Sequence, residues 1–353
     1  METHNPRPNP YVGPRAFETG EQLHGREREA RELLLFLISQ RIVLLHSPSG
    51  AGKTSLIQAG LIPRLREEGF NVLPVARVNL EPPENLKNAL TAGNEQHSPD
   101  DRLPPETSPG SQADQPAKSL NRYVYSVQLS LGEDLPPEKQ VPLEQLAGMS
   151  LAEYLDQRYR PEVELGDEER PQVEVLIFDQ FEEILTIDPT DQEGQAEFFA
   201  QVGEALRARH RWALFSMRED YIAALDPYLK SIPTRLASRY RLDLLGVDAA
   251  LQAIQNPPRS VGIDFNEDAA RKLVDDLRRV QIQQPDGSID EQPGPYVEPV
   301  QLQVVCFRLW QNLAPDDTLI SEEDVAHIGD VNQSLRGYYA ERVGAIAQET
   351  GSP

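Results

Sequence analysis

The chain has 353 residues, 57 of them acidic and 34 basic, for a formal charge of −23; the length suits two domains, and the charge works against broad contact with a nucleic-acid backbone. Its single cysteine, Cys306, excludes an internal disulfide and fits a reducing compartment. Residues Met1–Pro8 lack the apolar core of a secretory signal, and the longest apolar runs, Leu33–Ile38 and Val173–Phe178, fall well short of the roughly 18 residues of a membrane span, so a cytoplasmic protein without a membrane partner is expected.

In chain order, the first element is a helix over Arg28–Gln40, with Leu33, Leu34, Phe36 and Leu37 on one face. Ile42–His46 is a continuous branched apolar run, the pattern of a strand buried on both faces of a parallel sheet. A glycine-rich turn follows, and then a helix over Thr54–Glu67 with apolar positions Leu56, Ile57, Leu61, Ile62 and Leu65, stopped at Gly69. Asn71–Leu80 reads as a strand, with Pro74 marking an edge or a bulge. Residues 91–119 are crowded with Pro, Ser, Asp, Gln and Gly, the composition of a flexible insertion. A helix is expected over Leu143–Tyr159, and a polar spacer over Pro161–Gln172. Val173–Phe178 is a buried strand, Phe198–Arg209 a helix and Trp212–Met217 another buried strand. Alternating strands and helices predict a parallel α/β sheet with right-handed crossovers. Beyond Leu245 the pattern turns helical, at Ala249–Asn256, Glu267–Val280 and Pro299–Leu313, with turn-rich connections at Gln284–Pro295 and Pro315–Glu322. A last helix is expected over Val331–Gln348. The predicted division is therefore a lead segment 1–24, an α/β domain 25–245, a smaller mostly helical domain 246–345 and a linker-like tail 346–353.

Three places carry chemistry. Ser47–Thr54 joins a buried strand to an amphipathic helix, the setting of a phosphate-binding loop, which needs inward N–H groups, glycines, a lysine and a Mg²⁺-binding hydroxyl at a helix N-terminus. Gly50, Ala51, Gly52, Lys53, Thr54 and Ser55 supply these, whereas Ser47 stands where the usual pattern has its first glycine and Pro48 donates no N–H. At the end of the second apolar strand Asp179 has the position of a Mg²⁺-holding acid. The adjacent Glu183, with Glu182 in reserve, is a candidate general base for an attacking water. Arg218 closes the next strand, where ligands sit in open α/β sheets; it either senses a terminal phosphate or pairs with Glu219 or Asp220. The arginines around Arg207–Arg211 and Arg235–Arg241 read as solvated faces or internal ion pairs sooner than as a nucleic-acid groove.

Together these residues resemble the STAND class of signalling NTPases, and most closely its novel STAND NTPase group. The resemblance runs from about Tyr11 to Tyr339 and rests on Pro10–Phe17, Gly25-Arg26-Glu27, Ser47–Pro63, Asp179-Gln180-Phe181-Glu182-Glu183, Arg218, Asn256-Pro257-Pro258, Glu298–Gln303 and Gly337-Tyr338-Tyr339. It implies an AAA-like three-layer α/β core followed by a helical or winged-helix lid, with ATP or ADP and Mg²⁺ held between them and Arg26 and Pro257 contacting or framing the base. It further implies slow ATP hydrolysis, an ADP-bound closed state, self-association in the ATP state, and a sensor or effector partner that the residues do not identify. Two other readings stay open at this level: a P-loop kinase or ATP-dependent loader acting on a separate substrate, and a nucleotide-binding scaffold that does not hydrolyse.

Overall fold

The computed structural model of the chain describes residues 7–81, 120–158, 172–283 and 287–327. The expected insertion at 91–119, most of the spacer at 161–172, the last helix at 331–348 and the tail at 346–353 lie outside the described residues. Helix α1 (Glu27–Gln40) buries Ala30, Leu33, Leu34 and Leu37. Strand β1 (Ile42–Ser47) leads through the glycine-rich turn into α2 (Lys53–Ser55), a π-helical turn Leu56–Leu61 and α3 (Ile62–Glu67), in place of one continuous helix. Pro63 accounts for the wide turn, because a proline inside an α-helix has no N–H to give and its ring collides with the preceding turn. The Ile62 N–H bonds instead to the Ile57 carbonyl, and the Gln58 carbonyl accepts from the Thr19 hydroxyl at 3.2 Å.

Strand β2 (Asn71–Val72) is short. The rest of the strand expected to Leu80 is reduced to one bridge between Ala76 and Phe178, since Pro74 cannot donate to the ladder. Helix α4 (Arg122–Leu131) starts on Asn121, whose side chain accepts from the N–H groups of Tyr123 and Val124. The helix expected over Leu143–Tyr159 is two, α5 (Leu143–Gly148) and α6 (Leu151–Arg158). Ser150 and Glu153 form a capping box that starts the second, with the Ser150 N–H donating to Glu153 Oε2 at 2.8 Å. Then come β3 (Glu174–Phe178), α7 (Glu183–Thr186), α8 (Gln192–Ala205), β4 (Arg211–Arg218) and β5 (Arg239–Arg241). The five strands form a sheet in the order β2-β3-β4-β1-β5, with β3 pairing in parallel with both β2 and β4. The parallel α/β core expected from the alternation is present.

The chain divides into two compact units. One comprises Gln40–Leu45 and Gly69–Arg239. Its core holds a nest of phenylalanines in which Phe178 stacks on Phe215 at 4.8 Å and Phe181 lies 4.9 Å from Phe215 and 5.6 Å from Phe199. Such offset and edge contacts add to the area term. The one charge in the β3 run, Glu174, is buried opposite Arg211 of β4 in register, with Arg211 Nε 3.3 Å from its carboxylate and Nη2 2.6 Å from Asp156.

The other unit comprises Met1–Ser39, His46–Glu68 and Tyr240–Pro353. After β6 (Leu245–Gly246) it contains α9 (Val247–Ser260), β7 (Asp264–Phe265), α10 (Glu267–Leu277), β8 (Arg279–Gln283), β9 (Ile289–Pro293), β10 (Tyr296–Val297), α11 (Pro299–Asn312), β11 (Leu319–Ile320) and α12 (Glu322–His327). Strands β8 and β9 make an antiparallel hairpin, so part of the turn-rich connection expected at 284–295 is strand. Helix α9 carries Pro257 and Pro258 in its last turn. The lead segment is not loose against this unit: Tyr11 is fully buried and donates to the Ile254 carbonyl at 2.5 Å, Asn9 bonds the Phe307 carbonyl, and Arg7 bonds those of Ala314 and Asp317.

Truncating Arg211 strands the Glu174 carboxylate in the core, and breaking a buried pair on one side costs about 3–5 kcal/mol. Arg211→Ala should therefore lower the thermal midpoint strongly in calorimetry, and Glu174→Gln in the same chain should recover part of the loss.

Candidate functional site

The loop takes its path from two glycines. Gly50 (φ 76°) and Gly52 (φ 89°) are left-handed, a conformation that side chains resist, and the turn they allow places Lys53 as the first residue of α2. Ser47 is fully buried; its hydroxyl donates to the Pro48 carbonyl at 2.7 Å and accepts from Lys53 Nζ at 2.8 Å. Thr54 follows, half-buried. Ser55 Oγ accepts the Phe17 N–H at 3.2 Å, so the lead segment is tied to α2 as well as to α9 and α11.

Arg26 is 5% exposed and braces the loop from behind, its Nη2 donating to the carbonyls of Ala51 at 3.0 Å and Asp243 at 2.7 Å. Burial pulls its pKa below the ordinary arginine value, with Glu29 opposing. Gly25 (φ 79°) makes this possible: a Cβ there would lie 2.3 Å from the Ala249 carbonyl oxygen, so α9 and Arg26 come together only over a glycine.

Beside the loop lies an open, mainly apolar-walled pocket. Arg26, Ala51, Gly52, Ser55 and Pro257, all singled out by the sequence, line it, while Gly50, Lys53 and Thr54 lie outside its walls. Phe17, Pro299, Val300 and Gln303, which belong to phrases that carry the resemblance, and His24, which does not, complete much of the lining. Gln303 holds the Val12 N–H through Oε1 at 3.1 Å, and burial lowers the His24 pKa, with Glu27 opposing.

In the other unit the acidic group is built on the phenylalanine nest. Phe178 ends β3 and Phe181 is locked by its N–H to the Ser216 carbonyl at 2.8 Å. The two residues between them turn the chain, Gln180 at a left-handed φ of 51°, a strained state for a residue with a side chain. Asp179 Oδ1 accepts the Ser216 hydroxyl at 2.7 Å. Glu182 accepts the Arg218 N–H at 3.3 Å. Glu183, at the start of α7, has its pKa raised by burial first and then by Glu182 and Asp179. Ser216 was missed in the sequence, although its spacing of two from Arg218 puts both on one side of β4. Arg218 pairs with Asp220, Nη2 to Oδ2 at 2.5 Å, and lies over the Tyr221 ring, which is the ion-pair alternative left open above.

Among the described residues no group of three or more His, Cys, Asp or Glu could cage a metal ion. The Thr54 hydroxyl in one unit and the Asp179 carboxylate in the other are each hard oxygens of the kind that suits Mg²⁺. Arg207 pairs with Glu204, Arg211 with Glu174 and Asp156, and Arg241 with Asp243. Among the described residues no helix is long and apolar enough to cross a membrane.

Replacing Arg26 by alanine takes a donor from two carbonyls, and an unsatisfied buried group costs about 1–3 kcal/mol. Arg26→Ala should lower the thermal midpoint, and Arg26→Lys should restore only part of it, because an ammonium lacks the guanidinium fork.

No curated protein matches the chain. A Walker-type ATPase of Pyrococcus abyssi superposes with a TM-score of 0.53 at 16% identity, over 96% of this chain and 77% of that one. The Aeropyrum pernix ORC2 protein, solved as ADPNP–ADP complexes, superposes with a TM-score of 0.50 at 13% identity, over 90% of this chain and 70% of that one. At these identities the likeness is one of fold. The model of the family described as Novel STAND NTPase 1 matches residues 10–350, nearly the full length, and the chain therefore belongs to the novel STAND NTPase 1 family.

Proposed function

We propose that the chain is an ATP-binding and slowly hydrolysing switch whose nucleotide state controls its conformation and self-association, as the NTPase part of a signalling or defence system in the bacterial cytoplasm. The observation that carries this reading is the pocket whose wall combines the loop (Ala51, Gly52, Ser55), the lead segment (Phe17) and the helical part (Pro257, Pro299). A base seated there, with its phosphates on the N–H groups of Gly50–Thr54, touches the loop and the α9–α11 region at once, so nucleotide binding favours one arrangement of those parts.

In this reading Lys53 neutralises the terminal phosphates and Thr54 and Asp179 hold Mg²⁺, which when bound would neutralise charge on the β- and γ-phosphate oxygens. Ser216 orients the Asp179 carboxylate through its hydroxyl. Glu183 takes a proton from the attacking water. Glu182 stays in reserve, since its carboxylate is committed to the Arg218 N–H. The raised pKa of Glu183 suits a base, because a carboxylate of ordinary acidity holds a proton too weakly. Arg218 acts on a phosphate only after leaving Asp220. The net charge of −23 and the pairing of Arg207, Arg211 and Arg241 count against nucleic acid as the ligand.

Glu183→Gln should retain ATP binding while turnover falls about 10²- to 10⁴-fold, and Glu182→Gln should change turnover far less. Lys53→Ala should weaken ATP binding by about ten- to a hundredfold. Binding is read by fluorescence of an ATP analogue, turnover by phosphate release, and assembly by light scattering with and without ATP. Normal turnover in both glutamine variants sinks the catalytic assignment, and a size that never responds to nucleotide sinks the assembly step.

The pH dependence has a definite sign. A raised Glu183 pKa keeps the base protonated, and so inactive, up to a higher pH than an ordinary glutamate, so the acid limb of the rate profile is displaced toward higher pH. Folding binds that proton more tightly, so this group makes the native protein less stable as pH rises from the unfolded value through the folded one. At neutral pH Glu183→Gln should raise the thermal midpoint while lowering turnover.

A further inference from the structure

The departure of the loop from its common pattern is also a contact. We propose that Ser47 is a positioning residue for Lys53: its hydroxyl, standing where the usual loop has a glycine without a side chain, holds the lysine ammonium in place before nucleotide arrives. Ser47 is fully buried at the end of β1. Its single proton goes to the Pro48 carbonyl at 2.7 Å, which leaves oxygen lone pairs for Lys53 Nζ at 2.8 Å. A hydroxyl has one donor and two acceptor sites, so Ser47 in this arrangement receives a cation and does not itself donate to a phosphate. The proton chain therefore has one direction, from Lys53 to Ser47 to the Pro48 carbonyl. Pro48 helps fix it, because a residue without an N–H and with φ set by its ring gives the Ser47 hydroxyl a steady carbonyl to bond.

The consequence lies in when the lysine is ordered. A lysine stem has many rotamers, and immobilising such a side chain on ligand binding costs affinity. Here the immobilisation belongs to the folded protein, and phosphate meets an ammonium already placed. This inference rests on the nucleotide-binding reading of the loop for its functional meaning, but the contact itself is testable without nucleotide.

The experiment compares the native chain with Ser47→Ala, Ser47→Thr and Ser47→Gly. Lysine acetylation by an amine-reactive ester is followed on the nucleotide-free protein by peptide mass spectrometry, with the exposed Lys230 as internal control, and ATP affinity is measured on the same samples. Ser47→Ala and Ser47→Gly should speed Lys53 acetylation and weaken ATP binding by about three- to tenfold, while Ser47→Thr, which keeps the hydroxyl, should match the native chain and Lys230 should react alike in all four. An unchanged Lys53 rate in Ser47→Ala overturns the proposal. So does a rise shared by Lys230, which would mean general loosening. If Lys53 responds as expected but the native chain binds no ATP, the contact stands and the nucleotide reading falls.

Discussion

One buried guanidinium ties the glycine-rich loop to the entry of the helical region. Arg26 reaches the carbonyl of Ala51, inside the phosphate-binding loop, and that of Asp243, at the entry to the helical region. A loop that cradles anions turns its N–H groups inward, so its carbonyls must find donors elsewhere, and a cation with five fixed N–H groups answers that need from behind. The constraint spreads outward from there. Gly25 must lack a side chain for α9 to close on Arg26, and α9 in turn offers the Ile254 carbonyl to Tyr11, which seats the lead segment. The loop, helix α9 and the lead segment are thus linked through one chain of polar contacts.

The acidic side follows a different logic, in which apolar packing creates the electrostatics. Phe178 and Phe181 are pinned in the nest with Phe199 and Phe215, and the short link between them has to turn sharply, which puts Gln180 into a left-handed conformation. Asp179, Glu182 and Glu183 are carried into proximity by that turn despite their mutual repulsion. Asp179 accepts the Ser216 hydroxyl and Glu182 the Arg218 N–H, and the Glu183 pKa is raised by burial first and then by both neighbouring carboxylates.

Much of this was legible in the sequence where a local pattern decides the structure. Branched apolar runs at Ile42–His46 and Val173–Phe178 gave buried strands, and the glycines at 50 and 52 marked the loop because only they adopt its angles. The misreadings have local causes too. Periodicity alone carried a helix across Leu143–Tyr159, but Ser150 and Glu153 form a capping box that starts a new one. The wide turn at Leu56–Leu61 follows from Pro63, whose missing donor was present in the sequence and not used. What could not be read were contacts made at long range by ordinary residues: Gln303 to Val12, Ser216 to Asp179, Phe17 to Ser55. A serine or glutamine on a strand or helix has no spacing that announces its partner. The stretch around Arg207–Arg211, read as a solvated face or internal ion pairs, holds one of each: Arg207 pairs with Glu204 at the surface and Arg211 with Glu174 in the core.

The lead segment has a mechanical meaning. Between Arg7 and Thr19 the chain is bonded first to the carbonyls of Ala314, Asp317, Phe307 and Ile254 and then to Ser55 and Gln58. Fastened at one end to the helices and at the other to Ser55 and Gln58, the segment supplies Gly13, Arg15 and Phe17 to the pocket wall, so that wall keeps its shape only while the segment's bonds to the helices hold.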